Sequence, residues 1–263
     1  MMCPPGEDGG DVSARGVFVQ AAGATARGRR RINADAFVID EAAGILAVSD
    51  GMGDNPHGAL ASRMALAVMR EPFDGAWSQR PLADRFAGEA AVRLARGLAM
   101  ANRRLYETRK NEPSCRGATF AGVVVCRDHV YVAHVGDSRV LLLRRATGEL
   151  VQLTADHTVT SDLVARGMSQ AAAAHARDAD ALTRALGKGA VMEVQPSAAP
   201  WAPGDVVLAC TDGVSDFVHV EAMRRVLAGA TDAETAAQRL VHAAEEVGGW
   251  DNATAAVGVH RAA

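Results

Sequence analysis

Five aspartates lie at the ends of β-type runs, several of them beside glycine. Asp50-Gly51-Met52-Gly53 follows the run Gly44–Ser49, and Asp212-Gly213 follows Val206–Thr211. Asp137 sits in Val135-Gly136-Asp137-Ser138-Arg139 between two such runs. Asp251-Asn252 follows Gly248-Gly249-Trp250, and Asp35 closes Arg31-Ile32-Asn33-Ala34-Asp35. A carboxylate at a strand end is held on rigid scaffold and still faces solvent, and a neighbouring glycine lets a backbone carbonyl come within bonding distance of an ion. Hard cations such as Mg²⁺ and Mn²⁺ take oxygen ligands of this kind, a few carboxylates completed by water. One Asp-Gly pair is an ordinary turn. Several in one chain, each ending a hydrophobic strand, form an acidic cluster whose economical counter-charge is a metal. Spacing alone supports a metal-dependent hydrolase and nothing narrower.

The elements that must position these aspartates follow from hydrophobic periodicity. Strands are expected over Gly16–Ala22, Phe37–Asp40 and Gly44–Val48, the last two joined by a loop of hairpin length. Leu60, Met64 and Val68 recur every four residues and predict a helix. A second helix is expected to start near Pro81, with Leu94, Leu98, Ala101 and Leu105 on one stripe. Strands return at Thr119–Cys126 and His129–Val135, then at Arg139–Leu143 and Leu150–Leu153. Residues 154–188 are polar, alanine-rich and weakly patterned, which suggests small helices in an excursion beside the site. A strand at Asp205–Cys210, two helices, the second opened by a Thr231-x-x-Glu234 capping box, and a strand at about Thr254–Val259 complete the chain. This order predicts an α+β fold on antiparallel sheets, with a flexible lead at 1–12 and one domain over 13–263.

Composition narrows the function classes. The chain has 263 residues, 49% hydrophobic and 22% charged, which is globular and not disordered. A net charge of −3 and 4% aromatics argue against nucleic-acid binding by charge or base stacking. Cys3, Cys115, Cys126 and Cys210 form no C-x-x-C pair, which disfavours disulfides and zinc–thiolate sites and fits a reducing compartment. Cys210 has no cation nearby in sequence, so a cysteine nucleophile is disfavoured. No apolar run approaches the ~20 residues that span a bilayer, and the first residues lack the pattern of a signal peptide. A cytoplasmic location is expected.

Eight segments then occur in an informative order. They are Arg30…Asn33-Ala34-Asp35, Ser49-Asp50-Gly51-Met52-Gly53, Gly117-Ala118-Thr119, Val135–Arg139, Leu153-Thr154-Ala155-Asp156-His157, Leu182–Gly187, Thr211-Asp212-Gly213 and Asp251-Asn252. Together, from about residue 13 to 260, they resemble the metal-dependent protein phosphatases of the 2C type in their bacterial form. The resemblance implies a sandwich of two antiparallel β-sheets flanked on both faces by helix pairs, with a binuclear Mn²⁺ or Mg²⁺ centre at one end. Carried over by position, it implies that Asp50 bridges the two ions, that the Gly51 carbonyl ligates one, and that Asp212 and Asp251 hold the other. Asp35 would orient a metal-bound water, Asp137 would help bind a weaker third ion, and 154–188 would be the family's flap. Arg30, five residues before Asp35, stands where the family places its phosphate-binding arginine, and a guanidinium grips two phosphoryl oxygens at once.

The implied reaction is hydrolysis of phosphoserine and phosphothreonine on proteins by a hydroxide bridging two cations ~3.5–4 Å apart, which lower its pKa. The implied partners are phosphoproteins and a cognate Ser/Thr kinase, for a monomer without nucleic-acid or membrane contacts. Two other readings accompany this one, a pseudophosphatase that binds phosphoproteins without turnover and a phosphatase of small molecules. Four departures from the family pattern bear on them. Ala34 replaces an acidic or amide side chain, Met52 stands where some relatives carry a histidine acid, Asp54 interrupts the usual Gly-Gly-His, and His57 lies two positions late. Asp54 is expected to shift the local field or touch a metal water. His57 is a displaced acid or, more simply, a surface-loop histidine.

Overall fold

The computed structural model describes residues 17–81, 84–85, 87–126 and 128–262. The lead expected at 1–12 lies outside the described residues, as do Cys3 and Gly16. In chain order the elements are β1 (Val17–Ala26), β2 (Asp35–Asp40), β3 (Ile45–Asp50), α1 (Pro56–Arg70), α2 (Ala87–Asn111), β4 (Phe120–Cys126), β5 (His129–Val135), β6 (Arg139–Leu143), β7 (Leu150–Gln152), α3 (Val159–Ala165), α4 (Gln170–Ala174), β8 (Ser197–Pro200), β9 (Val206–Cys210), α5 (Asp212–Ser215), α6 (Val220–Gly229), α7 (Ala233–Glu246) and β10 (Ala253–Ala262).

Alternation of side chains along the strands builds three layers of core. In β3, Leu46 and Val48 point between the sheets while Ile45 and Ala47 point to the helices. In β9, Val207 and Ala209 face the other sheet, and Val206, Leu208 and Cys210 face α6 and α7. Strands buried on both faces read as continuous apolar runs, which is why β3, β4 and β9 are so plain in the sequence. One sheet has the order β1-β10-β9-β6-β7 and the other β2-β3-β4-β5-β8, and every pairing between named strands is antiparallel. The expected helix-flanked double sheet is what the chain forms.

The helices show where periodicity misled. The α2 stripe holds, with Leu94, Leu98, Ala101 and Leu105 all buried. Each leucine there contributes roughly 1.5–3 kcal/mol of burial. That helix begins at Ala87, not near Pro81. In α1 the predicted stripe holds in part: Val68 is buried and Met64 packs against the core, but Leu60 is 46% exposed, and the rest of the buried face is carried by Ala61, Ala65, Leu66 and Met69. Small residues let α1 lie close to α2, so the larger side chain marks the wrong face. The start of α7 is capped by Asp232, whose Oδ1 accepts from the Thr235 N–H at 2.7 Å, and not by Thr231. The four-residue α5 and the edge strand β8, which ends in proline, were not expected; both are too short for a periodic signal. No helix among the described residues is long and apolar enough to cross a membrane.

α1 and α2 approach closely at Gly97, where a Cβ would stand 2.2 Å from the Met69 carbonyl oxygen. A methyl group at that point must push the helices apart. Gly97→Ala is expected to lower unfolding free energy by about 1–3 kcal/mol in urea denaturation. In the same experiment Gly88→Ala, with open space around it, leaves stability unchanged or raises it by up to about 1 kcal/mol.

Candidate metal centre

Sheet register creates the first pair of site carboxylates. Asp35 opens β2 and Asp50 closes β3, and the two are direct partners across the antiparallel ladder. Like charges placed opposite one another are unfavourable, so something else must hold them. Two threonine hydroxyls do part of this: Thr211 Oγ1 and Thr254 Oγ1 donate to Asp35 Oδ2 at 2.8 and 2.7 Å. The Asp50 N–H donates to Thr119 Oγ1 at 2.9 Å, and Thr119 in turn is 2.7 Å from the Ser138 hydroxyl beside Asp137.

The other sheet supplies the second pair. Asp212 starts α5 at the end of β9, and Asp251 lies in the turn that leads into β10. A Cβ on Gly213 would stand 1.8 Å from the Asn252 carbonyl oxygen, so glycine is required for the two turns to meet. Asn252 is the hub of the arrangement. Its Oδ1 accepts from the Ala34 N–H at 2.8 Å, and its Nδ2 donates to the Arg27 and Ile32 carbonyls at 2.7 and 3.0 Å. Gly51 is equally confined, with 1.9 Å from a would-be Cβ to the Gly58 carbonyl oxygen.

All five predicted aspartates converge at this end of the sandwich. Asp50 and Asp212 are pushed well above the usual carboxylate range, by burial first and then by the charges of the other aspartates around them. Burial pushes Asp35 up to about 6 against the opposing pull of its threonine donors, and Asp137 to about 6. The Asp137 Oδ1 is buried without any hydrogen-bond partner. Arg30 is also where it was expected: its Nη2 lies 2.6 Å from Asp251 Oδ2, and that bond raises the guanidinium pKa.

Three sequence readings change. The carboxylate of Asp54 receives the backbone N–H groups of Arg31 and Ile32, so it braces the Arg30 loop. His57 lies in the first turn of α1 and not in a loop: its Nδ1 is 3.0 Å from Ser114 Oγ and its Nε2 is 3.7 Å from Glu112. His157, unassigned from sequence, accepts from the Gly136 N–H through Nδ1 and stacks on His134 with 4.4 Å between ring centres. Burial, then His134, pushes His157 down to about 4. Burial also drives Cys126 and Cys210 up to about 12, which leaves no thiolate nucleophile among them. Thr211, Thr254 and Asn252 had been given no role. Thr211 and Asn252 lay beside predicted ligands in the quoted motifs, and that adjacency was the available signal.

The donor set fits hard divalent cations: buried carboxylate oxygens that repel one another, one of them wholly unsatisfied, beside a confined glycine carbonyl. Among the described residues no three His, Cys, Asp or Glu side chains close on a single point by themselves. Asp251 is turned to Arg30, Asp212 Oδ1 to the Gly213 N–H and Asp35 to its threonines, so each spends an oxygen on a protein donor.

A protein phosphatase 2C family profile matches residues 22–247, most of the chain. The chain belongs to the protein phosphatase 2C family, the metal-dependent serine/threonine phosphatases. The serine/threonine phosphatase stp of Listeria welshimeri is 30% identical over 213 residues, which is 80% of this chain and 82% of that protein. The crystal structure of the Mycobacterium tuberculosis serine/threonine phosphatase PstP superposes with a TM-score of 0.80 at 28% identity, covering 93% of this chain and 99% of that one. The PstP catalytic domain in complex with two manganese ions gives 0.78, with the same identity and coverage.

A carboxyl with a raised folded-state pKa stays protonated while the unfolded chain ionises. Its contribution to stability is intact below about pH 4 and is lost as pH climbs through about 6. In metal-free protein Asp35→Asn is therefore expected to gain on the parent by roughly 2–3 kcal/mol between pH 4 and pH 7, read from urea midpoints at each pH. A gap that does not change with pH would remove the claim that Asp35 is held against ionisation.

Proposed function

We propose that this chain removes phosphate from phosphoserine and phosphothreonine on proteins, using divalent cations held by Asp50, the Gly51 carbonyl, Asp212 and Asp251, with Asp137 serving a weaker third ion. The observation that carries the reading is the gathering of five mutually repelling aspartates, from strand ends and turns, at one end of the sandwich beside one arginine. When bound, Mn²⁺ or Mg²⁺ acidifies water and neutralises phosphoryl oxygens. The residues of the chain do the rest. Arg30 takes two phosphoryl oxygens and orients the phosphorus for in-line attack once Asp251 faces a cation. Asp35 has Oδ2 filled by two threonines, so its Oδ1 orients the attacking water and takes its proton. Met52 is no acid and His57 is bound by Ser114 and Glu112, so solvent water protonates the leaving serine or threonine oxygen.

Residues 13–263 act as one catalytic unit, and 154–188, which contain α3 and α4, form a flap at its edge. The protein works as a cytoplasmic monomer, without nucleic acid, against the products of a cognate Ser/Thr kinase. Hydrolysis of p-nitrophenyl phosphate and a phosphothreonine peptide is expected with Mn²⁺ or Mg²⁺ and not with chelator. Asp212→Asn should cost at least about 100-fold in kcat. Phosphopeptide binding without turnover in either metal would replace the enzyme with a binding module, and indifference to the peptide would favour small-molecule substrates.

A further inference from the structure

The loop that carries Arg30 is held mostly by groups outside itself. The Arg29 N–H donates to the Gly249 carbonyl at 2.7 Å, on the turn that leads to Asp251. Gly28 has φ +58°, and a Cβ there would meet the Asp251 carbonyl oxygen at 2.2 Å, so the loop is seated hard against that turn. Two consecutive amides, Arg31 N–H and Ile32 N–H, donate to one carboxylate: Asp54 Oδ2 at 3.2 Å and Oδ1 at 3.0 Å. Asp54 lies four residues after Asp50, on the turn that also carries Gly51. Its neighbour Asn55 caps α1 with its own side chain. One carboxylate thus ties the arginine loop to the aspartate loop. Asp54 is exposed and forms no close ion pair among the described residues; its charge reaches the Arg30 guanidinium through space, and its side-chain hydrogen bonds are to these two amides.

We propose that Asp54 is a positioning residue for phosphate recognition: by accepting from the Arg31 and Ile32 amides with separate oxygens, it fixes where the Arg30 guanidinium stands relative to Asp50. This rests on the reading of Arg30 as the phosphate ligand. Hydrogen bonds to an ionised acceptor are stronger than neutral ones, and two of them on adjacent amides restrain both the place and the tilt of the peptide plane. The charge of Asp54 acts in the opposite direction. A carboxylate near a phosphate dianion repels it, so if charge were the whole contribution, losing Asp54 would tighten phosphate binding.

The test compares Asp54→Ala, Asp54→Asn, Arg30→Ala and the Arg30→Ala/Asp54→Ala double variant of the full chain. It reads KM and kcat on a phosphothreonine peptide with Mn²⁺, Ki for inorganic phosphate, and amide hydrogen exchange in metal-free protein. Asp54→Ala is expected to raise KM and phosphate Ki by about 3- to 10-fold, with kcat changed less than about 2-fold. The same change made in the Arg30→Ala background should move neither. Asp54→Asn, which keeps one acceptor oxygen, should fall between parent and Asp54→Ala, and Arg31 and Ile32 amides should exchange faster in Asp54→Ala. A KM or Ki that is unchanged or lowered, or an effect undiminished when Arg30 is absent, overturns the inference. If Arg30→Ala itself leaves phosphate Ki unchanged, the phosphate-ligand reading falls and takes the inference with it. An Arg30→Ala defect without an Asp54 effect overturns the inference alone.

Discussion

Mutual repulsion among five partly buried carboxylates is the constraint around which this molecule is arranged. Each of Asp35, Asp50, Asp137 and Asp212 is held above its ordinary pKa, with burial the first cause in every case. Such a cluster contributes nothing to folding on its own account. The layered core must therefore hold it: two sheets packed face to face, each covered by helices, with β3, β4 and β9 buried on both faces. The acidic end is tolerable because the rest of the sandwich is dry and close-packed.

Two kinds of restraint carry that rigidity out to the site. One is register, since pairing β2 with β3 sets Asp35 against Asp50 before any side chain is considered. The other is a set of small neutral donors and acceptors placed between loops. Thr211, just past the end of β9, and Thr254 in β10 deliver hydroxyls to Asp35, and Asn252 joins the Arg30 loop to the Asp251 turn. None of these groups adds charge to a region that already has too much of one sign. Arg139 pairs with Asp156 at 2.7 Å and Asp216 at 3.2 Å, and so offsets part of the field that these two outer acids add at Asp137.

The layout was legible because this sandwich writes itself strongly. Strands buried on both faces give unbroken apolar runs, and a carboxylate at the end of each run is a local feature that needs no knowledge of the fold. What was illegible depends on contacts between segments distant in sequence. Asn252 and Ala34 are 218 residues apart and Thr254 and Asp35 are 219 apart; no local pattern announces such bonds. Asp54 shows the limit well. From sequence it is an extra negative charge beside a metal ligand; in the structure its oxygens face two backbone amides across a loop more than twenty residues away. The partial offset of the α1 stripe has a different origin: alanine and glycine decide where helices touch, and hydrophobic periodicity weights them least.

Asp251 connects the charge problem to recognition. Of the five carboxylates it alone is ion-paired to a guanidinium, at 2.6 Å, and that partner is half in solvent, where an ion pair contributes little. On the proposed ligand set, Arg30 and a divalent cation compete for the same carboxylate. Binding equilibria coupled in this way are reciprocal, so whatever draws Arg30 away from Asp251 also strengthens the hold of that carboxylate on a cation. On the same proposal a phosphoryl group would do this, because it would offer the guanidinium two oxygens in place of one. The braces on the Arg30 backbone from Gly249, Asn252 and Asp54 would then matter for a physical reason: they would let the guanidinium change partners while its loop stays in place.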